Sequence, residues 1–237
     1  MENRFTTIIA EADKARKWIT VCIAIFLALL VIIFPFSERI LGVMVRLLGR
    51  NLVAYSPSEA LLGFASLSVY CAFILTLPVA GVMLWTRAVL PRIPRLRGWG
   101  LPVFAIAVGL FLSGVLLGYF VILPAGIGFL VGGFENDHVR AFISAKKFVS
   151  FCGGMLIALG VAFQMPLISF FLARLGWLSP VFFQKRWRHS IVICAVLAAV
   201  ITPTPDVYNM TLMMAPLLGL YAVSFIVVLA GRPKRDS

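Results

Sequence analysis

Side chains able to catalyse a reaction or bind a metal are few in this chain and lie far apart in the sequence. The four cysteines each lie inside an apolar run: Cys22, Cys71, Cys152 and Cys194. None has a second cysteine or a histidine at metal-ligand spacing, so we expect free thiols that pack as small hydrophobic groups. His138 and His189 also lack a partner at ligand spacing. We therefore predict that the protein is not an enzyme and has no metal site and no cofactor.

Gln164 is the strongly polar side chain that lies well inside an apolar run, two residues before Pro166. An amide group in hydrocarbon needs hydrogen-bond partners. One candidate partner is the backbone that Pro166 leaves without a donor. The other is a helix of a second protein, and the residues favour neither interpretation.

Two acidic side chains lie at the ends of apolar runs. Glu59 closes the sequence Ser-Pro-Ser-Glu at residues 56–59, which predicts an N-cap, a first-turn proline and a capping-box acid at the start of a helix. Asp206 follows the sequence Thr-Pro-Thr-Pro and directly precedes the last apolar run, where it can cap a helix. Capping accounts for both residues, but a direct functional role stays open for each.

Six apolar runs must position these side chains. Hydrophobic residues make up 62% of the sequence and charged residues 13%, unlike a typical soluble domain. Because a membrane-crossing helix needs about 20 apolar residues, we predict an all-α, polytopic integral membrane protein with one domain over residues 1–237. The six predicted transmembrane helices approximately cover residues 18–36, 61–85, 102–123, 148–172, 190–202 and 208–230.

Prolines and run lengths predict a kinked bundle with short fifth and sixth helices. Four prolines within apolar runs each remove a backbone donor and bend or interrupt a helix: Pro78, Pro124, Pro166 and Pro216. We expect Pro124 to turn the chain, so that residues 125–134 lie along the outer membrane interface. The fifth run offers only about a dozen apolar residues, too few for an average bilayer unless the membrane thins.

A separate short helix is predicted at the cytoplasmic surface, beginning at Ser179 and Pro180. Its apolar side chains would form an interfacial face opposite a basic one. The apolar face comprises Phe182, Phe183 and Trp187, and the basic face Lys185, Arg186 and Arg188. Such a helix anchors to anionic lipid or docks a partner.

Positive charge is divided unevenly between alternate loops. More than two thirds of the 21 lysines and arginines lie in the N-terminal segment, the second and fourth loops and the C-terminal tail. Because such charges near the ends of membrane helices stay on the cytoplasmic side, we predict a multi-pass protein of the plasma (inner) membrane with both termini in the cytoplasm. A nucleic-acid binder would gather its charge in one patch, so the net charge of +12 predicts no nucleic-acid partner.

The polar residues of the chain also bear on other classes of membrane protein. Every acidic residue lies in a loop, a tail or at the end of an apolar run, which disfavours ion-coupled transport because a coupling ion needs a charge at membrane depth. A small-solute transporter would need a polar path, for which Gln164, Thr202, Thr204 and Asp206 provide little material. A membrane scaffold without a transport role fits the charge-free bundle as well.

Several motifs follow one another in a fixed order from Ser56 onward. They are Ser56-Pro57-Ser58-Glu59-Ala60, Gly118-Tyr119-Phe120, Leu123-Pro124, Ala162-Phe163-Gln164-Met165-Pro166, Leu172-Ala173-Arg174-Leu175-Gly176, Ser179-Pro180 and Ile201-Thr202-Pro203-Thr204-Pro205-Asp206. With their loop lengths and six helices, they resemble the TatC family, the multi-span receptor of the twin-arginine protein translocase.

The resemblance implies a part in moving folded proteins across an energised membrane. In that family the cytoplasmic N-terminal segment and first cytoplasmic loop bind the arginine pair of the signal peptide, and single-span TatA/TatB-like subunits dock against the later helices. The polar residue at the place of Gln164 faces those subunits. The resemblance also implies a homo-oligomer in the receptor complex. The candidate partner-helix or transport positions are Pro57, Glu59, Gln164, Pro166 and Asp206.

The chain departs from the family pattern where signal peptides are bound. The family's N-terminal signature is degenerate over residues 11–17, and the loop at residues 92–97 carries three arginines but no acid. Guanidinium groups prefer carboxylates, so a basic loop repels an arginine pair. The candidate signal-peptide positions are Glu11, Asp13, Arg16, Lys17, Arg95 and Arg97. Our hypothesis is a divergent TatC whose signal recognition is weakened, altered or delegated, with a scaffold paralogue or a small-solute transporter as alternatives.

Overall fold

The computed structural model describes residues 2–48, 52–84, 100–132, 144–202 and 207–230. Regular structure in these residues is helical, which confirms the all-α class. The elements are α1 (Glu2–Ile33), a 3-10 turn (Phe34–Phe36), α2 (Ser37–Leu48), α3 (Pro57–Leu84), α4 (Gly100–Leu117), a π-helical turn (Gly118–Ile122), α5 (Leu123–Gly132), α6 (Ala145–Ala162), α7 (Met165–Arg174), α8 (Pro180–Ile201) and α9 (Val207–Ala230).

The protein is a multi-pass membrane protein. Within the described ranges, five helical stretches are long and apolar enough to cross a membrane: Arg16–Arg46, Pro57–Met83, Gly100–Phe129, Ala145–Arg174 and Val207–Ala230. The sixth predicted crossing falls on α8, whose apolar part, residues 190–201, rises only about 18 Å against about 30 Å of hydrocarbon. Of the two helices expected to be short, α8 has the short membrane part, whereas α9 has 24 residues and an ordinary spanning length.

The chain just before α3 closes one end of the bundle. The segment before α3 lies against the start of α6, where the Ala145 N–H donates to the Val53 carbonyl at 3.1 Å. Val53 and Ser144 also form an isolated parallel β-bridge. We term this the capped end of the bundle, defined by Val53, Tyr55, Glu59 and Ser144.

Pro124 lies inside a continuous helix, so the turn expected there is absent. A proline lacks an N–H and crowds the carbonyl four residues earlier. Here a π-helical turn precedes it, and the Leu123 N–H donates to the Gly118 carbonyl, five residues back. This wider turn shifts the backbone pairing just ahead of the proline and lets the helix run on into α5.

The helix predicted at Ser179 is the first part of α8, which continues without a break to Ile201. Phe183 was expected on an interfacial face, but only 7% of its surface is exposed. It packs in a cluster with Tyr221 and Phe225 of α9, and the Tyr221 hydroxyl donates to the Phe183 carbonyl at 2.8 Å. The assignment of Phe183 to the membrane surface was therefore wrong, because the α8 helix turns this side chain toward α9.

The buried core is centred on α6, which packs closely against α3 and α4. Glycine makes this approach possible. A Cβ at Gly153 would lie 2.3 Å from Cγ of Tyr70 in α3, and one at Gly160 would lie 2.7 Å from Cε2 of Phe111 in α4. Small residues at such crossings let membrane helices gain van der Waals contact where lipid gives no hydrophobic driving force.

Candidate functional site

Gln164 lies at a break in the fourth membrane crossing. α6 ends at Ala162, two residues form a turn, and α7 begins at Met165 with Pro166 as its second residue. A proline there costs little, because the first N–H groups of a helix have no partner inside that helix. The break places the partly buried Gln164 side chain beside α4.

The amide of Gln164 is held by the neighbouring helix of the same chain. Its Nε2 group donates a hydrogen bond of 3.1 Å to the Ala107 carbonyl of α4. This partner is neither of the two proposed from sequence, the backbone freed by Pro166 or a helix of another protein. Within the described part of the chain no donor reaches the amide oxygen, so the group keeps one acceptor. The arrangement fixes a polar side chain inside a membrane crossing.

Glu59 joins two helices at the capped end. One carboxylate oxygen accepts the Tyr55 N–H at 2.9 Å, and the other accepts a hydrogen bond from the Ser144 hydroxyl. The Glu59 N–H donates to the Ser56 hydroxyl at 3.2 Å, as expected for a capping box. The carboxylate thus fastens the start of α3 to the start of α6.

Ser144 completes this connection from the other side. It is 5% exposed, and as the N-cap of α6 its hydroxyl accepts the Lys147 N–H at 3.3 Å. Lys146 and Lys147 lie close enough for their charges to interact favourably with Glu59. The capped end therefore combines two helix starts, one carboxylate and two ammonium groups.

An open groove of about 1050 Å³ runs from this polar end along the bundle. Its walls are α3, α6 and the last residues of α8. Polar side chains line one part of it: Ser56, Ser58, Glu59, Lys146, Lys147 and Ser150. Apolar side chains that include Leu62, Phe151, Met155, Ala158 and Val200 line the rest.

The outward face of α8 carries a second candidate surface. Its apolar side chains are between 41% and 76% exposed, and they recur at helical spacing along the membrane part: Val192, Ile193, Val196, Leu197 and Val200. In a membrane such a face contacts lipid or another helix.

The predicted signal-peptide residues lie largely outside what the structure describes. Glu11 and Asp13 belong to α1, but their side chains are not described, and Arg95 and Arg97 fall outside the described residues. Arg16 and Lys17 are exposed on α1. Among the partner-helix candidates, Pro57 is exposed at the first position of α3 and Pro166 is buried in α7. Asp206 also falls outside the described residues.

Sequence reasoning missed Ser144, Tyr55 and Ala107. Ser144 carries a usable signal, since a serine three residues before Lys147 at the start of an apolar run is typical of an N-cap. In the hydrogen bonds to Glu59 and Gln164, Tyr55 and Ala107 contribute backbone groups, for which residue type gives no signal. The helix α2 was also missed, although its apolar residues recur with helical period.

Comparison with known proteins gives the family. The family model described as Sec-independent protein translocase protein (TatC) matches residues 12–216. A relative from Bacillus subtilis strain 168, named Sec-independent protein translocase protein TatCd, is 33% identical over 225 residues, covering 94% of this chain and 92% of that one. A TatC from Carboxydothermus hydrogenoformans is 27% identical over 240 residues and covers 100% of this chain and 98% of that one.

Solved structures agree with the sequence comparison. A crystal structure titled as the twin arginine translocase receptor TatC superposes with a TM-score of 0.83 at 27% identity, covering 93% of this chain and 99% of that chain. A second crystal structure of that receptor, in DDM, gives a TM-score of 0.80 and covers 94% and 100%. The polytopic helical fold, the ordered motifs and these matches agree along nearly the whole sequence. The chain therefore belongs to the TatC family, as a membrane component of the twin-arginine translocation machinery.

Proposed function

We propose that this protein acts as the receptor subunit of twin-arginine translocation. In this role it binds the signal peptides of folded precursors and docks single-span TatA/TatB-like subunits. The observation that carries the proposal is the likeness to a twin-arginine translocase receptor over 93% of the chain, at a TM-score of 0.83. The break at Gln164 and the exposed face of α8 support it.

The orientation in the plasma membrane follows from charge. Exposed basic residues at the end opposite the capped end include Arg16, Lys17, Arg174, Lys185 and Arg186. Positive charge near the ends of membrane helices favours the cytoplasmic side. We therefore place both termini in the cytoplasm and the capped end outside.

Partner helices would dock in the hydrocarbon layer. The exposed α8 face offers apolar contact, and the Gln164 amide oxygen offers an acceptor, which is worth more in lipid than in water. The bond from Nε2 to the Ala107 carbonyl keeps the amide from rotating away. A partner with a polar side chain in its membrane helix fits this arrangement.

Signal recognition is assigned to the start of α1. Glu2, Glu11 and Asp13 are the acidic residues there, and Glu11 and Asp13 lie in the degenerate signature. The loop at residues 92–97, in contrast, has arginines and no acid. Carboxylates bind guanidinium groups through paired, charge-assisted hydrogen bonds. We infer that binding is weaker or more dependent on other subunits than in relatives with an acid in that loop.

A complementation assay tests the function. The chain is expressed with its own single-span partners in cells that lack a TatC, and export of a folded reporter with a twin-arginine signal is measured. We expect export, and we expect none when the two signal arginines are replaced by lysines. Stable insertion of the chain without export of the reporter would contradict the proposal.

Cross-linking then locates the signal peptide. A photo-reactive residue at position 13 should capture the precursor more strongly than the same residue at position 95, because position 95 lies among arginines. Asp13→Lys should lower export, whereas Asp236→Lys, at the opposite terminus, serves as the matched control. Strong capture at position 95 that is lost with the lysine signal would refute the assignment to α1.

A further inference from the structure

The groove at the capped end has the layout of a binding site for an amphipathic molecule. Its polar part lies at the starts of α3 and α6, and its apolar part extends between α3, α6 and the end of α8. A volume of about 1050 Å³ is at the upper limit of roughly 300–1,000 Å³ for small-molecule sites. The groove thus suits a larger ligand with one polar end.

Charge at the polar end favours an anion. Lys146 and Lys147 are both exposed at the mouth of the groove, whereas Glu59 is the one acidic residue among the described residues that line it. The two oxygens of Glu59 already accept hydrogen bonds from Tyr55 and Ser144. Among the described residues that line the groove, the two lysines therefore exceed the negative charge. Both stand in the first turn of α6, where the backbone also favours an anion.

The apolar part of the groove is exposed and has open space beside its α6 wall. Val200, on its α8 wall, is 76% exposed. Gly154, on its α6 wall, has no heavy atom within 4 Å of the position that a Cβ would occupy. An acyl chain can therefore enter sideways from the bilayer and lie along α6 beside Met155 and Ala158.

We infer that this groove binds one anionic phospholipid. Its phosphate lies between Lys146 and Lys147, with the hydroxyls of Ser58 and Ser150 in reach, and its acyl chains lie between α6 and the end of α8. A phospholipid fits better than a soluble anion because most of the lining is apolar. A phospholipid also suits the position of the groove beside the C-terminal end of α8. Because the apolar part of α8 is too short for the bilayer, a bound lipid would fill the space beside that end.

Lipid binding to the purified full-length protein in detergent tests the inference. Phosphatidylglycerol is added, and bound lipid is counted by native mass spectrometry. We expect one tightly bound molecule, and weaker binding by phosphatidylethanolamine. The double substitution Lys146→Gln and Lys147→Gln should weaken phosphatidylglycerol binding roughly thirtyfold, because each lysine contributes a similar attraction to an anionic headgroup.

Matched controls separate the groove from general surface charge. Arg39→Gln with Arg46→Gln removes two exposed charges from α2, outside the groove, and should leave binding unchanged. Gly154→Leu fills the apolar channel and should weaken binding while both lysines remain. Gly109→Leu, on α4, where a Cβ also meets no atom within 4 Å, should have no effect on binding.

Three outcomes would overturn the inference. The first is equal phosphatidylglycerol binding by the double lysine variant and the native chain. The second is full displacement of the lipid by glycerol 3-phosphate, which would make the groove a site for soluble anions. The third is a photo-reactive residue at position 154 that captures only a single-span subunit, and no lipid, in native membranes. None of these measurements requires translocation, so they are independent of the complementation assay.

Discussion

At the scale of single residues, two polar side chains of this protein are paired across helices. Gln164 bonds the Ala107 carbonyl 57 positions earlier in the sequence, and Glu59 bonds Ser144, which is 85 positions later. Inside a membrane crossing no water can satisfy the Gln164 amide, so it needs a partner within a protein. These pairs therefore determine how α3, α4 and α6 are aligned along the membrane normal.

Replacing Gln164 tests its contribution directly. Gln164→Met keeps the length of the side chain but removes the donor to the Ala107 carbonyl, so we expect a loss of about 0.6–1.7 kcal/mol in stability. Export should fall further than this loss explains, because the acceptor for a partner helix is also removed. Thermal unfolding in detergent and reporter export measure the two effects.

Gln184→Met is the matched control for this substitution. Gln184 is exposed on the first part of α8, so the same chemical change there should leave both stability and export near the native level. If Gln164→Met behaves like Gln184→Met in export, Gln164 has no role in partner docking.

At the scale of the helices, close packing depends on which glycine faces a neighbour. Gly153 and Gly154 are adjacent on α6, yet a Cβ meets Tyr70 at 2.3 Å from the first and nothing within 4 Å from the second. The sequence shows two equivalent glycines. The structure shows that one permits the approach of α3 while the other lines the groove.

Two alanine substitutions separate these roles. Gly153→Ala should destabilise the protein by about 1–3 kcal/mol, since the new methyl group pushes α3 away from α6. Gly154→Ala should be neutral or stabilising by up to about 1 kcal/mol, because alanine favours the helix and meets no neighbour. Thermal unfolding of both variants in one detergent measures the difference. Equal melting temperatures would show that α3 and α6 are not in close contact at Gly153.

Some features of the helices could be predicted from sequence and others could not, because each sequence pattern carries information about one property only. Apolar run lengths report membrane crossings, so the all-α class was predictable. They do not report which side of a helix meets another, so the burial of Phe183 against Tyr221 was missed. The proline at position 124 was read as a turn because sequence does not reveal the π-helical turn before it. The hydrogen-bond partners of Gln164 and Glu59 lie far away in sequence and depend on the tertiary fold.

At the scale of the whole molecule, the helices of the bundle differ in the length of their apolar parts. The crossing at residues 145–174 has 30 residues and the one at residues 16–46 has 31, whereas the apolar part of α8 spans about 18 Å. A short crossing is accommodated by local thinning of the bilayer or by side chains that reach the interface. The groove lies beside the C-terminal end of this short apolar part, at Val200 and Ile201.

Bilayer thickness should accordingly change the stability of the protein. In nanodiscs of short-chain phosphatidylcholine the melting temperature should be higher than in long-chain phosphatidylcholine. The reason is that each ångström of mismatch between α8 and the hydrocarbon layer costs less than about 1 kcal/mol, and the thinner bilayer has less mismatch. Arg188→Leu with His189→Leu lengthens the apolar part of α8 and should reduce this difference. Arg16→Leu with Lys17→Leu lengthens a crossing that already has 31 residues, so the difference should persist in that control. A melting temperature that does not depend on chain length in the native protein would mean that α8 is shielded from lipid by the rest of the bundle.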